Sequence, residues 1–104
     1  MITAGGYNIY PKEIELVLDD QPGVLESAVI GVPHPDFGET VLAVVVPARG
    51  QTPEPDAILT NIQTSLARFK HPRKIEILDA LPRNTMGKVQ KNILRDRYRH
   101  IFSV

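Results

Sequence analysis

The sequence predicts a small α+β domain, a three-stranded sheet packed with helices. Three observations carry that prediction. The run Val41–Val46 (VLAVVV) is apolar on both faces, as a strand covered from both sides must be. Two further stretches, Val24–Val32 and Lys74–Leu78, have the β-branched content or alternation of strands. Between and around them lie segments whose apolar residues recur at helical spacing.

In chain order, residues 1–10 (MITAGGYNIY) read as an irregular entry segment containing glycine. Pro11 suits the first turn of a helix, where its missing N–H costs nothing. Glu13 and Glu15 follow near the positive end of the helix dipole, and Ile14, Val17 and Leu18 share one face. Pro22-Gly23 stops that helix. After the strand Val24–Val32, residues 33–38 form a turn punctuated by two prolines and a glycine. Val41–Val46 is then the central strand, and Ala48–Pro55 a polar loop. Ile58, Leu59, Ile62 and Leu66 mark an amphipathic helix. Lys74–Leu78 is the third strand and Pro82–Gly87 a loop. A last helix runs from about Gln90 to Arg99, carrying Ile93, Leu94 and Tyr98.

A chain of 104 residues that is 42% hydrophobic holds one modest core and excludes wholesale disorder. So small a domain has little material for a deep pocket of its own, which places any site it serves at an interface. No apolar run reaches the ~18 residues of a membrane span, and the start lacks the basic and apolar regions of a signal peptide. The absence of cysteine excludes disulfides and thiolate metal sites and fits a cytoplasmic protein. His34, His71 and His100 show no metal-ligand spacing.

The net charge of zero conceals a division. Residues 1–67 hold two basic and nine acidic side chains, whereas residues 68–104 hold ten basic and three acidic ones. Either the last third meets something anionic, or the two parts neutralise each other in the fold.

Three stretches bear chemistry. Gly5-Gly6-Tyr7, just before the first helix, allows positive φ and close backbone approach by a ligand, although alone it is an ordinary turn. Phe69-Lys70-His71-Pro72-Arg73 sets an aromatic beside cations, a pattern that stacks on a base and holds phosphate or is simply a solvated basic loop. Pro82–Lys88 presents a lysine from a glycine-containing loop before a basic helix. A lysine ammonium suits developing negative charge. This is not a phosphate-binding Walker loop, since Lys88 is followed by valine and the upstream glycine is missing.

The ordered segments GGYNIYPKEIE, VIGVPHPDFGE, FKHPRKIEIL and LPRNTMGKVQKNILR together resemble the C-terminal lid domain of the adenylate-forming superfamily across essentially the whole chain. GGYN followed by P-x-E-I-E is similar to the CoA-ligating branch, and within it to the malonyl-CoA synthetase group. The resemblance implies two steps: a carboxylate attacks the α-phosphate of MgATP, then the thiol of CoA displaces AMP. A large N-terminal domain would bind ATP and the acid while this lid, residues 1–104, takes one pose per step. Lys88 would be the catalytic lysine of adenylation. Gly5, Gly6 and Tyr7 would line the pantetheine tunnel, with Phe69, Lys70 and Arg73 on the CoA nucleotide. His71 and Phe37 are secondary members of that set.

On the same resemblance, the hinge and the N-terminal domain lie upstream of Met1. ATP, Mg2+ and CoA would serve the full-length enzyme with none held by the lid alone, and the isolated lid would be inactive. The motif Pro82–Lys88 resembles the site at which protein lysine acetyltransferases modify acyl-CoA synthetases, which makes Lys88 a regulatory site reversed by a deacetylase. The N-terminal domain and CoA are the expected partners, with no nucleic acid and no membrane. Two rivals stay open: a basic nucleic-acid-binding module using the C-terminal third, and a non-catalytic interaction module.

Overall fold

A computed structural model describes residues 1–103. Eight regular elements and one 3-10 turn run in the order β1 (Ile2–Ala4), β2 (Tyr7–Ile9), α1 (Pro11–Asp19), β3 (Val24–His34), β4 (Gly38–Pro47), α2 (Pro55–Ile62), the 3-10 turn Arg68–Lys70, β5 (Lys74–Ile77) and α3 (Lys91–Tyr98). The main sheet has the order β3-β4-β5, with β3 antiparallel and β5 parallel to β4. The three-stranded α+β architecture expected from the sequence is therefore present, with VLAVVV in its centre.

The central strand explains the layering. Val41, Ala43 and Val45 point to one face, where they join Ile14 and Leu18 of α1 and Ile58 and Ile62 of α2. Leu42, Val44 and Val46 point to the other, against Leu81 and against Leu94 and Tyr98 of α3. Side chains alternate along a strand, so one apolar run serves two cores. Truncating Leu42, fully buried, to alanine costs about 2–5 kcal/mol.

Three expectations are corrected. Residues 1–10 are not irregular: β1 and β2 pair antiparallel, Ile2 opposite Ile9, around Gly5-Gly6. Both glycines have positive φ, 56° and 87°, the conformation a tight hairpin turn demands. The turn at 33–38 is shorter than read, because β3 and β4 pair out to His34 opposite Gly38. The second helix ends at Ile62, where Gln63 and Ser65 donate to Thr60 and Ile62 in three-residue turns, and Leu66 reaches the core from beyond it. On α3, Ile93 faces outward while Leu94 and Tyr98 form the buried stripe.

No helix among the described residues is long and apolar enough to cross a membrane.

Candidate functional site

The residues singled out in the sequence collect at two separate ends of the β3–β4 hairpin. Arg83, beside the start of β3, touches Glu26, whereas Phe37 lies in the turn after His34. From Glu26 to His34 the strand covers about 26 Å at ~3.3 Å per residue.

At the first end, Pro82–Gln90 folds into a tight hairpin rather than an open loop. Arg83 bridges Val89, and the Gln90 N–H donates to the Pro82 carbonyl at 2.8 Å. Gly87 takes φ 82°, the left-handed region where a Cβ is penalised. Asn84 organises the tip: its Oδ1 accepts from the Met86 N–H at 2.9 Å and the Lys88 N–H at 3.0 Å. Arg83 donates to the Gly87 carbonyl at 2.7 Å. Lys88 emerges exposed from this frame and makes no ion pair among the described residues. Fixed backbone, free ammonium: that is the arrangement a presented cation requires.

At the second end, three sequence segments meet in an open groove of about 470 Å³ lined by Gly5, Tyr7, Phe37, Arg68, Phe69 and Arg73, among others. Tyr7 and Phe69 stack with ring centroids 4.5 Å apart, and the Arg73 guanidinium lies 4.8 Å from the Phe37 ring. Aromatic stacking and cation–π contact of this kind contribute about 0.5–1.5 kcal/mol each. Between 40% and 54% of Phe69, Phe37 and Tyr7 nevertheless remains exposed, so ring surface is left for a ligand. The Gly5 N–H donates to the Phe37 carbonyl at 3.4 Å, tying the glycine turn to the β3–β4 turn.

The predicted set is thus only partly assembled in the groove. Gly5, Tyr7, Phe37, Phe69 and Arg73 line it together. Gly6 stands at the turn with open space where a Cβ would go. Lys70 is turned away from the groove: its ammonium binds both Glu13 oxygens, at 2.7 and 2.9 Å, across the start of α1. His71 does line the groove, with its Nε2 donating to the carbonyls of Leu66 at 2.9 Å and Gln63 at 3.2 Å. Arg68, one residue before the stretch the sequence marked, supplies the groove's second guanidinium. Extending that basic run by one position would have found it.

The fold neutralises part of the charge division internally. Lys70–Glu13, Arg83–Glu26 and Lys91–Glu15 link the basic third to the acidic remainder. Arg68, Arg73, Lys88, Arg95 and Arg97 form no ion pair among the described residues. Three of these five stand at the two ends just described. On α3, burial pushes the Tyr98 hydroxyl above its ordinary value, partly offset by the neighbouring Arg97.

The sequence family described as AMP-binding enzyme C-terminal domain matches residues 13–88, ending on Lys88 itself. ATP-bound MatB from Rhodopseudomonas palustris is similar in structure, with a TM-score of 0.96 at 54% identity, covering 99% of this chain and 20% of that one. FadD13, a long-chain-fatty-acid–CoA ligase of Mycobacterium tuberculosis, is 45% identical over 98 residues, 94% of this chain and 19% of the relative. ScoC from Streptomyces coeruleorubidus, a fatty acid–[acyl-carrier-protein] ligase, is 46% identical over 97 residues, 93% of this chain and 19% of the relative. The chain therefore spans about one fifth of the length of these relatives. Its matched segments are those that build both ends of the β3–β4 hairpin, and the chain belongs to the family of AMP-binding enzyme C-terminal domains.

Proposed function

We propose that this chain is the mobile lid of an AMP-forming acid–CoA ligase, and that its two ends serve the two half-reactions in turn. The observation that carries the proposal is Lys88: an unpaired cation on a braced hairpin, at the opposite end of the sheet from an aromatic, cationic groove.

In the adenylation pose, Lys88 enters the site formed with the N-terminal domain. Its ammonium meets the incoming carboxylate and the α-phosphate, where negative charge accumulates as the new C–O–P linkage forms and pyrophosphate leaves. A preplaced cation stabilises that charge without reorganising at the moment of reaction. Magnesium on the triphosphate supplies further neutralisation when ATP is bound.

In the thioester pose, the Gly5-Gly6 turn and the groove face the active site. The groove's chemistry fits CoA: guanidinia of Arg68 and Arg73 for phosphate, ring faces of Phe37 and Phe69 for the adenine, and a turn without side chains beside the narrow pantetheine arm. Lys70, paired with Glu13, and His71, held by two carbonyls, brace this wall beside the proposed nucleotide contacts.

The acid proposed from the GGYN…P-x-E-I-E resemblance is malonate. Relatives named for a long-chain fatty acid, feruloyl and indoleacetate reach 45%, 47% and 44% identity to this chain, so the likeness of the lid does not track the acid. Lys88 is also the proposed acetylation site: an acetyl group removes the charge adenylation needs.

The deciding experiment measures each half-reaction separately in the full-length enzyme. Mutation of Lys88 abolishes acyl-AMP formation selectively, and mutation of Arg73 weakens CoA use selectively. A protein that makes no acyl-AMP from any acid at full length is instead the non-catalytic interaction module. Steeply salt-dependent binding of DNA or RNA in its place marks the nucleic-acid module.

A further inference from the structure

The frame around Lys88 includes a side chain from a distant part of the sequence. Arg83 forks between two acceptors: Nη1 donates to the Gly87 carbonyl at 2.7 Å, while Nη2 pairs with Glu26 Oε1 on β3. The Gly87 carbonyl and the Lys88 N–H belong to one peptide unit, and the second group is also held, by Asn84 Oδ1 at 3.0 Å. The Lys88 carbonyl in turn accepts from the Asn84 N–H at 3.0 Å. Three of the four backbone polar groups flanking the Lys88 Cα are therefore bound by residues 83 and 84, and Arg83 is anchored to the sheet through Glu26.

We propose that Glu26, Arg83 and Asn84 form a positioning relay that fixes the Gly87–Lys88 peptide against the start of β3 and so aims the Lys88 ammonium. The proposal rests on the adenylation role given to Lys88: none of the three touches the reacting atoms itself, and each acts only through Lys88.

Two physical points favour positioning over stability. The Arg83 and Glu26 side chains are 42% and 29% exposed, and ion pairs of that exposure add little to folding stability. The planar guanidinium, by contrast, reaches two acceptors in fixed directions, which a lysine at the same place does not. Lys88 has four rotatable side-chain bonds beyond a backbone that must itself be still. A hairpin tip free to rock would displace the ammonium by an ångström or more, and such misplacement costs up to about 10²-fold in rate.

The test uses the full-length enzyme with Glu26→Gln, Asn84→Ala, Lys88→Ala and the double variant Glu26→Gln/Lys88→Ala. Glu26→Gln keeps the shape and removes the charge that anchors Arg83. It is expected to lower kcat for acyl-AMP formation about tenfold, with KM for acid and ATP and the rate of thioester formation from supplied acyl-adenylate held within about twofold. Asn84→Ala is expected to do the same. In the Lys88→Ala background, Glu26→Gln is expected to cause no further loss, because a residue that works through Lys88 has nothing left to aim.

A second readout follows the loop itself: amide hydrogen exchange of the peptide spanning 83–90, expected to accelerate in Glu26→Gln while the rest of the lid is unchanged. Equal losses in the presence and absence of Lys88 overturn the relay, as does unaltered exchange at 83–90. If Lys88→Ala itself leaves adenylation intact, the adenylation role falls on that result alone. The exchange measurement then decides the relay by itself, acceleration supporting it and no change overturning it.

Discussion

The Lys88 hairpin and the aromatic groove solve opposite problems with the same sheet. At the hairpin, polar groups of the loop are spent on one another and on Glu26, and a single cation is left without a partner. At the groove, the rings hold one another and a guanidinium, Tyr7 on Phe69 and Arg73 over Phe37, while part of each ring stays open. One end is built to present a point charge, the other to receive a flat, phosphate-bearing molecule. About 16–20 Å of strand, at ~3.3 Å per residue, separates Glu26 from Gly31 and Val32, which pair with the groove residues Val41 and Thr40, so the two ends are distinct places on the sheet.

Substitutions that affect one end and spare the other sharpen this comparison. The largest effect belongs to Lys88→Ala in the full-length enzyme. Loss of one preorganised donor to a charged transition state costs about 2.7–4 kcal/mol, so acyl-AMP formation falls by about 10²–10³ in a pyrophosphate-release assay. A loss under tenfold would remove Lys88 from the chemistry.

Next comes Gly6→Leu. The residue has φ 87° and open space beyond it, so the side chain meets nothing in the lid and projects outward. The left-handed backbone itself costs roughly 1–2 kcal/mol. CoA-dependent release of AMP is expected to fail while adenylation persists. Thioester formation at the ordinary rate in this variant would take the glycine turn out of the tunnel.

Arg73→Ala has a smaller effect, confined to CoA. Removing a charge-assisted contact worth about 1.5–3 kcal/mol raises KM for CoA by about 10–100-fold and leaves KM for ATP alone. A parallel rise for ATP would merge the two ends into one site.

The smallest effect concerns Tyr98, on the buried face of α3 at its last position. Burial raises its folded-state value, so the hydroxyl's contribution to stability is complete below the unfolded value, near pH 10. Above that the unfolded chain releases its proton first, and stability falls as pH climbs through the folded value. Thermal unfolding of Tyr98→Phe is expected to show a shallower decline in that range, with both half-reactions unchanged at neutral pH.

The two ends also differ in how far the sequence discloses them. The hairpin is contiguous: Pro82–Lys88 stands in one stretch, and its glycine and lysine are visible without a structure. Its brace was not, since Glu26 lies 57 residues from Arg83 and nothing local pairs them. The groove is assembled from the glycine turn, the β3–β4 turn and the 3-10 segment, three places whose meeting depends on strand register. Charge in a linear run does not tell which partner each cation finds: Lys70 and Arg73 look equivalent in sequence, yet one pairs with Glu13 and the other lines the groove.

The same contrast holds for the fold. VLAVVV announced the central strand because burial on both faces leaves no alternative to a long apolar run. The β1–β2 hairpin is only three residues per strand, too short for alternation to register, although Gly5-Gly6 between two such segments is a hairpin signal. Ile93 and Leu94 both lie on α3 as expected, but a helix turns about 100° per residue, so only Leu94 reaches the sheet.

The central claim is that Lys88 works in one half-reaction and has left the site for the other. The direct measurement is single-turnover thioester formation by full-length Lys88→Ala given acyl-adenylate and CoA, followed by quenched flow. The two-ended lid predicts a rate within about twofold of the unmutated enzyme while acyl-AMP synthesis by the same preparation has collapsed. A thioester rate that falls as far as the adenylation rate contradicts it.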